Sequence, residues 1–191
     1  CLVSGGELII AACNPFGLKY WAGARADDHG FSKKTLETLL GTDGETSWYY
    51  PMPDIKVPVT IFSDEYLPGR GELSDNRRNF DRDRLQLFDE KKVFDTVLAE
   101  GLFGELANSF LIEAGNRTGE QRVIYSKYPN ERARQLGIRT DSCKKADGEK
   151  SVRKYALYPE GREHICHMEK SYEKLSSCYA DSNGKIRFCD C

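Results

Sequence analysis

Long hydrophobic runs are absent from this 191-residue sequence. No stretch approaches the roughly 18–20 consecutive apolar residues that a membrane-spanning helix requires. The composition, 39% hydrophobic and 30% charged, also excludes wholesale disorder, a collagen-like repeat and a membrane bundle. The sequence therefore suits one globular domain, or a close pair of subdomains.

Motifs of the common catalytic sites are absent as well. No nucleophile-elbow sequence is present. The glycines at 69 and 71, and those at 101 and 104, lack the strand–turn–helix context and the Lys-Ser/Thr of a phosphate-binding loop. Of the three histidines, His29 follows two aspartates, whereas His164 and His167 bracket Cys166. On a helix this pair would share a face as metal ligands, but we expect a strand, where they face opposite sides. No metal or cofactor is predicted.

The seven cysteines lie at the two ends of the sequence: Cys1, Cys13, Cys143, Cys166, Cys178, Cys189 and Cys191. They form no C-x-x-C pair, which argues against a zinc ribbon or a thioredoxin-type motif. We expect disulfides, with Cys1 or Cys13 bridged to the C-terminal group, a link worth about 2–4 kcal/mol. Because seven is odd, one thiol is free, or pairs with another chain, or Cys1 is modified, as the lipidated cysteine of a bacterial envelope lipoprotein is.

Two further features bear on location. The sequence begins at Cys1 without a methionine or signal peptide, as a processed chain would. Alternatively, residue 1 is only the point at which the given sequence starts. Asn116-Arg117-Thr118 is a glycosylation acceptor pattern, with Asn116 as its acceptor. We therefore expect a secreted, extracellular protein.

Charge is distributed unevenly along the chain. Residues 1–115 contain 12 Lys and Arg against 19 Asp and Glu (net −7), and residues 116–191 contain 16 against 11 (net +5). The basic part suits an acidic partner such as nucleic acid or an anionic surface. Alternatively, the two parts attract each other or are only solvated. The boundary suggests an acidic subdomain and a basic, strand-rich one within a single domain.

Local patterns predict an α+β fold. Ser32 can begin a short helix that Gly41 ends. A longer helix is predicted over residues 89–113, with a kink or a helix pair at Gly101 and Gly104, because apolar side chains recur every fourth residue from Phe94 to Phe110. Strands are predicted over residues 2–12, 56–62, 122–125, 152–158 and 185–188. Helices followed by a disulfide-stapled antiparallel sheet are therefore expected.

The basic part also interleaves cations with aromatic residues, which is typical of single-stranded nucleic-acid binding. The candidates are Arg122, Tyr125, Tyr128, Lys144 and Lys145. Tyrosines on strands also occur commonly in cores and at their rims, so a structural role is the alternative.

About 70 C-terminal residues resemble the secreted fungal guanyl-specific ribonucleases, the ribotoxins and the RNase-like effectors of plant-pathogenic fungi. The segment 122–125 with the turn at 128–130 resembles their arginine strand, and 183–189 resembles their closing strand. Residues 137–140 occupy the place of the histidine-bearing strand in the order of elements of that family, but they contain no histidine. In a second register Arg153 takes the arginine position and His167 the histidine position.

The resemblance implies RNA cleavage by three groups. A carboxylate takes the ribose 2′ proton, an arginine holds the phosphate, and a histidine protonates the leaving oxygen. These roles fall to Glu105 (or Glu113), Arg153 and His167. Because the set is incomplete, we expect foremost a secreted, disulfide-stabilised binding protein, a virulence or effector protein that recognises a host protein or RNA. A ribonuclease and an envelope lipoprotein are the alternatives.

Overall fold

The computed structural model describes residues 6–25, 29–41, 45–75, 85–115, 121–129, 131–176 and 186–188. The chain divides into two compact units, Cys1–Thr118 and Gly119–Cys191. Each unit contains both helices and paired β-strands, so the predicted α+β class is confirmed. No helix in the described ranges has both the length and the apolar character that a bilayer span demands.

The first unit is built on four antiparallel strands. They are β1 (Glu7–Cys13), β2 (Thr46–Met52), β3 (Thr60–Ser63) and β4 (Ser109–Gly115), in the order β1-β4-β2-β3. The helices are α1 (Leu18–Trp21), α2 (Lys33–Leu40), α3 (Glu90–Ala99) and α4 (Phe103–Leu106), with a 3-10 turn at Glu72–Asp75. The core lies around the central strand β4, where Phe110 and Ile112 are fully buried.

Helix α2 confirms the sequence prediction at both ends. The Ser32 hydroxyl accepts a hydrogen bond from the Thr35 amide at 3.1 Å, which satisfies one of the unpaired amides of the first turn. Gly41 ends the helix with φ at +70°, a conformation that costs little without a side chain. Leu36 is the residue that the helix buries.

The predicted helix over residues 89–113 is wrong in its second half. The chain turns at Gly101 (φ +69°) after α3, forms the short α4, and continues as strand β4. In that strand Phe110 and Ile112 both reach the core, since residues two apart share a face. Pairing with β1 on one side and β2 on the other overrides the four-residue apolar spacing.

Aromatic edge contacts fill this core. The Tyr50 ring lies 5.4 Å from that of Phe103 and 6.2 Å from that of Phe110, and Phe62 and Phe94 also contact Phe103. These tilted arrangements match the electrostatic preference of aromatic pairs. The sheet and the helical segment α3–α4 are thereby packed together.

The first unit also buries an ion pair. The Lys19 Nζ lies 2.9 Å from Asp54 Oδ2, and the two side chains are 4% and 0% exposed. The Lys56 amide donates to the other Asp54 oxygen at 2.8 Å. Because both charges are removed from water, each depends on the other for compensation.

The second unit contains strands β5 (Gln121–Lys127), β6 (Ile138–Lys145), β7 (Lys150–Ala156) and β8 (Ile186–Phe188) with helix α5 (Arg162–Ser176). β5, β6 and β7 pair antiparallel, and β8 runs parallel to β7. Short 3-10 turns occupy Arg134–Leu136 and Pro159–Gly161. The strand predictions at 122–125, 152–158 and 185–188 are confirmed in the main. Local patterns did not predict β6, and only the resemblance placed a strand at residues 137–140.

The two C-terminal histidines lie on a helix, so the predicted strand is wrong. Helix α5 carries both His164 and His167. It buries Ile165 fully, and Met168 and Tyr172 are half-buried at helical spacing on the same side. This apolar stripe explains the helix, and the sequence analysis overlooked it.

No disulfide is present among the described residues, in which Cys13 and Cys166 are half-buried and Cys143 is buried. Cys1, Cys178, Cys189 and Cys191 lie outside the described residues, as does Asn116. The disulfide staple and the glycosylation site therefore stay predictions.

Replacing Asp54 by alanine should destabilise the protein by about 3–5 kcal/mol, because Lys19 would be left buried without its counter-charge. Urea unfolding followed by circular dichroism measures the change. The double variant Lys19→Met/Asp54→Leu removes both charges and should recover most of the loss. A double variant no more stable than Asp54→Ala would contradict the argument.

Candidate functional site

Strand alternation gathers charged and aromatic side chains on one face of the paired strands of the second unit. Arg139, Asp141 and Cys143 alternate along β6 and so share this face. Antiparallel pairing sets Tyr155 opposite Arg139, and Arg153 opposite Asp141. We call the group formed by Tyr128, Arg139, Asp141, Arg153 and Tyr155 the Arg139 surface.

Asp141 is a buried carboxylate that fixes the direction of Arg139. Arg139 Nε donates to Asp141 Oδ1 at 2.8 Å, and Nη2 lies 2.8 Å from Oδ2, a two-point contact. The Ser126 hydroxyl adds a hydrogen bond to Oδ1 at 2.7 Å. The Asp141 side chain is 2% exposed and that of Arg139 is 38% exposed. The guanidinium is therefore bound to Asp141 at two points, while the Arg139 side chain is still partly accessible to solvent.

Two tyrosines flank this guanidinium. The Arg139 Cζ lies 5.3 Å from the centroid of the Tyr128 ring and 5.7 Å from that of Tyr155, both within cation–π range. Both tyrosines are half-buried. An arginine held between two rings is a platform on which planar groups can stack.

Two groups on this face, Arg139 and the neighbouring Cys143 thiol, have pKa values raised above their ordinary values. Burial alone would lower the pKa of Arg139, but the hydrogen bond and the charge of Asp141 outweigh it and raise the pKa. Burial raises the pKa of the Cys143 thiol, although Arg153 opposes this. Near neutral pH, Arg139 is thus a cation and Cys143 a neutral thiol.

The structure divides the predicted nucleic-acid-binding residues between two faces. Arg122 and Lys144 are directly opposite each other in the β5–β6 pairing, on the face opposite Arg139. A bulge in β5 places Tyr125 on that same face. Lys145 shares the face of Arg139 and is ion-paired with Glu149.

Tyr128, one of the five predicted residues, has its ring centroid 5.3 Å from the Arg139 Cζ. Arg139 and Tyr155 were not among the predicted residues. Arginine and aspartate two residues apart on a strand were the signal available for Arg139.

Two of the predicted catalytic residues lie on different elements of the second unit, Arg153 on β7 and His167 on α5. Arg153 lies on the Arg139 surface and donates to Gln121 at 2.8 Å. Gly161, in the turn that leads into α5, lies close to Ala156 of β7. A Cβ added at Gly161 would be only 3.3 Å from the Ala156 Cβ. Alternation places Ala156 and Arg153 on opposite faces. His167 is exposed on α5, on a helix instead of the neighbouring strand that the resemblance requires.

Glu105, the predicted base, belongs to a cluster in the first unit. It is exposed at α4, beside a network in which Lys33 Nζ donates to the Tyr50 hydroxyl at 3.1 Å and that hydroxyl donates to Asp64. Burial, followed by the hydrogen bond to Asp64, raises the pKa of Tyr50, and Glu105 adds to the rise. This hydroxyl links Lys33 of α2 to Asp64 through Tyr50 of β2, and it is protonated near neutral pH.

Within the described ranges, no group of three or more His, Cys, Asp or Glu side chains is arranged to hold a metal ion.

No protein-family model, curated protein or solved structure matches this chain. The resemblance to fungal ribonucleases therefore stays an expectation from sequence, and function must be argued from the described side chains.

Alkaline pH should destabilise the protein partly through Tyr50. In the unfolded chain this hydroxyl ionises near its ordinary pKa of 10.0, whereas in the folded protein it stays protonated at higher pH. Its stabilising effect is therefore complete below pH 10.0 and decreases as the pH rises above that value.

The Tyr50→Phe variant should be less stable at pH 7 by about 0.5–1.5 kcal/mol, because the hydrogen bond to the exposed Asp64 carboxylate is lost. It should lose less stability between pH 9 and pH 11 than the wild type. Urea unfolding across this range tests it. Parallel pH profiles for the two proteins would refute the assignment.

Proposed function

We propose that this chain acts by binding a macromolecule through the Arg139 surface and not by catalysis. The observation that carries the proposal is the half-exposed guanidinium of Arg139, held at two points by buried Asp141 and flanked by Tyr128 and Tyr155. Arginine and tyrosine are the residues that most often dominate binding interfaces.

The fixed geometry favours recognition. Arginine carries five N–H donors, and Asp141 engages the Nε and Nη2 positions. The Nη1 side remains for a ligand, as far as the described residues extend. Because Asp141 holds the guanidinium in place before binding, a ligand gains the contact without the entropy of ordering a long side chain.

The broader proposal is a secreted, disulfide-stabilised effector that recognises a host protein or RNA. Its support is the clustering of cysteines at the two ends of the sequence. Peptide mapping without reductant should find a peptide with Cys1 or Cys13 linked to one from the C-terminal group. Alkylation of all seven thiols without reductant would overturn this part of the proposal.

Binding can be tested by capture from a host-cell extract. The immobilised wild type should retain a partner that the Tyr155→Leu variant retains at least several-fold less well, because the variant removes one ring beside Arg139. Lys170→Gln changes an exposed cation on α5 and should behave as the wild type. A partner retained equally by all three proteins would show that the Arg139 surface is not the binding site.

The ribonuclease alternative has a direct test with the same material. The oxidised protein is incubated with structured and single-stranded RNA, and products ending in 2′,3′-cyclic phosphate are sought. Under the binding proposal the RNA stays intact. Cleavage that His167→Ala abolishes, with little change in melting temperature, would replace binding by catalysis.

A further inference from the structure

Two arginines converge on the Arg139 surface. Arg153 stands opposite Asp141, and Arg139 stands two residues from Asp141 on the same face, so the arginines are diagonal neighbours across β6 and β7. Both guanidinium groups also act on the Cys143 thiol, whose pKa each of them lowers against the effect of burial. With Asp141 as the buried carboxylate between them, the three side chains carry a net charge of about +1.

The neighbouring rings add a second kind of contact. Tyr128 and Tyr155 flank Arg139, and unpaired bases stack on tyrosine rings and on guanidinium planes. A base can stack in this way only when it is not enclosed in a duplex. The combination therefore suits a polyanion with exposed aromatic rings.

The charge of the second unit favours the same ligand. Residues 119–191 contain 15 Lys and Arg against 11 Asp and Glu, a net charge of +4. Such a balance attracts a polyanion from solution. A protein partner would have to be acidic to gain as much from this surface.

We infer that the ligand of the Arg139 surface is single-stranded nucleic acid, with a backbone phosphate held by Arg139 and Arg153 and a base stacked beside Tyr128 or Tyr155. The inference rests on the proposed function, because it names the ligand of that site. It assigns different tasks to the side chains: Arg153 supplies charge, and Tyr155 supplies stacking.

The test is fluorescence anisotropy with labelled oligouridine and oligothymidine of about 12 nucleotides and a duplex of the same length, over a range of salt concentrations. The Tyr155→Leu variant should bind the single strands about tenfold more weakly, with an unchanged salt dependence. For Arg153→Gln the slope of log K against log salt should fall by about 0.7, the value for one phosphate contact on a single strand.

Lys170→Gln is the matched control, since it removes one exposed positive charge from α5. It should leave the affinity for either oligonucleotide within twofold of the wild type. Circular dichroism melting of every variant checks folding. Binding of either single strand with these variant effects supports the inference, and stronger oligouridine binding would identify RNA.

Preference for the duplex, or equal losses in Arg153→Gln and Lys170→Gln, would overturn the inference. A wild type that binds no oligonucleotide but captures a protein through Tyr155 would also overturn it, while the proposed function would stand. If neither oligonucleotide nor protein binding depends on Tyr155, both fail.

Discussion

The buried carboxylate of Asp141 is the constraint on which the surface of the second unit depends. A carboxylate removed from water is costly unless it is paired and hydrogen-bonded. Arg139 and Ser126 meet this requirement with three contacts of 2.7–2.8 Å. The same contacts fix the plane of the guanidinium, and that plane determines what the flanking tyrosines can present. The contacts that compensate the buried charge of Asp141 therefore also set the geometry on which the binding proposal rests.

A second buried carboxylate shows why burial alone does not make a site. Asp54 in the first unit pairs with Lys19, but both side chains are withdrawn from solvent. That pair can only stabilise or specify the fold. Arg139 differs because its side chain is 38% exposed while its partner is 2% exposed. The Arg139 side chain therefore contacts a buried carboxylate and is itself partly exposed to solvent.

Sequence patterns predicted the elements whose causes are local. Helix α2 is such a case, because its cap at Ser32 and its end at Gly41 lie within ten residues. Strand β4 was mistaken for helix because its structure depends on β1 and β2, which are distant in sequence. Apolar spacing from Phe94 to Phe110 fits a helix equally well until that pairing is known.

The candidate site was harder to predict because it depends on strand register. The bulge between Val123 and Tyr125 sends Tyr125 to one face, while Tyr128 meets Arg139 on the other. A shift of one residue exchanges the faces of a strand, so basic and aromatic composition cannot by itself select the binding residues. Once the register is known, the chemistry follows. The pKa values of Arg139 and of the Cys143 thiol are both raised. Proton-transfer catalysis near neutral pH is most efficient with groups whose pKa values lie closer to 7. These directions agree with the proposal that the Arg139 surface binds a ligand.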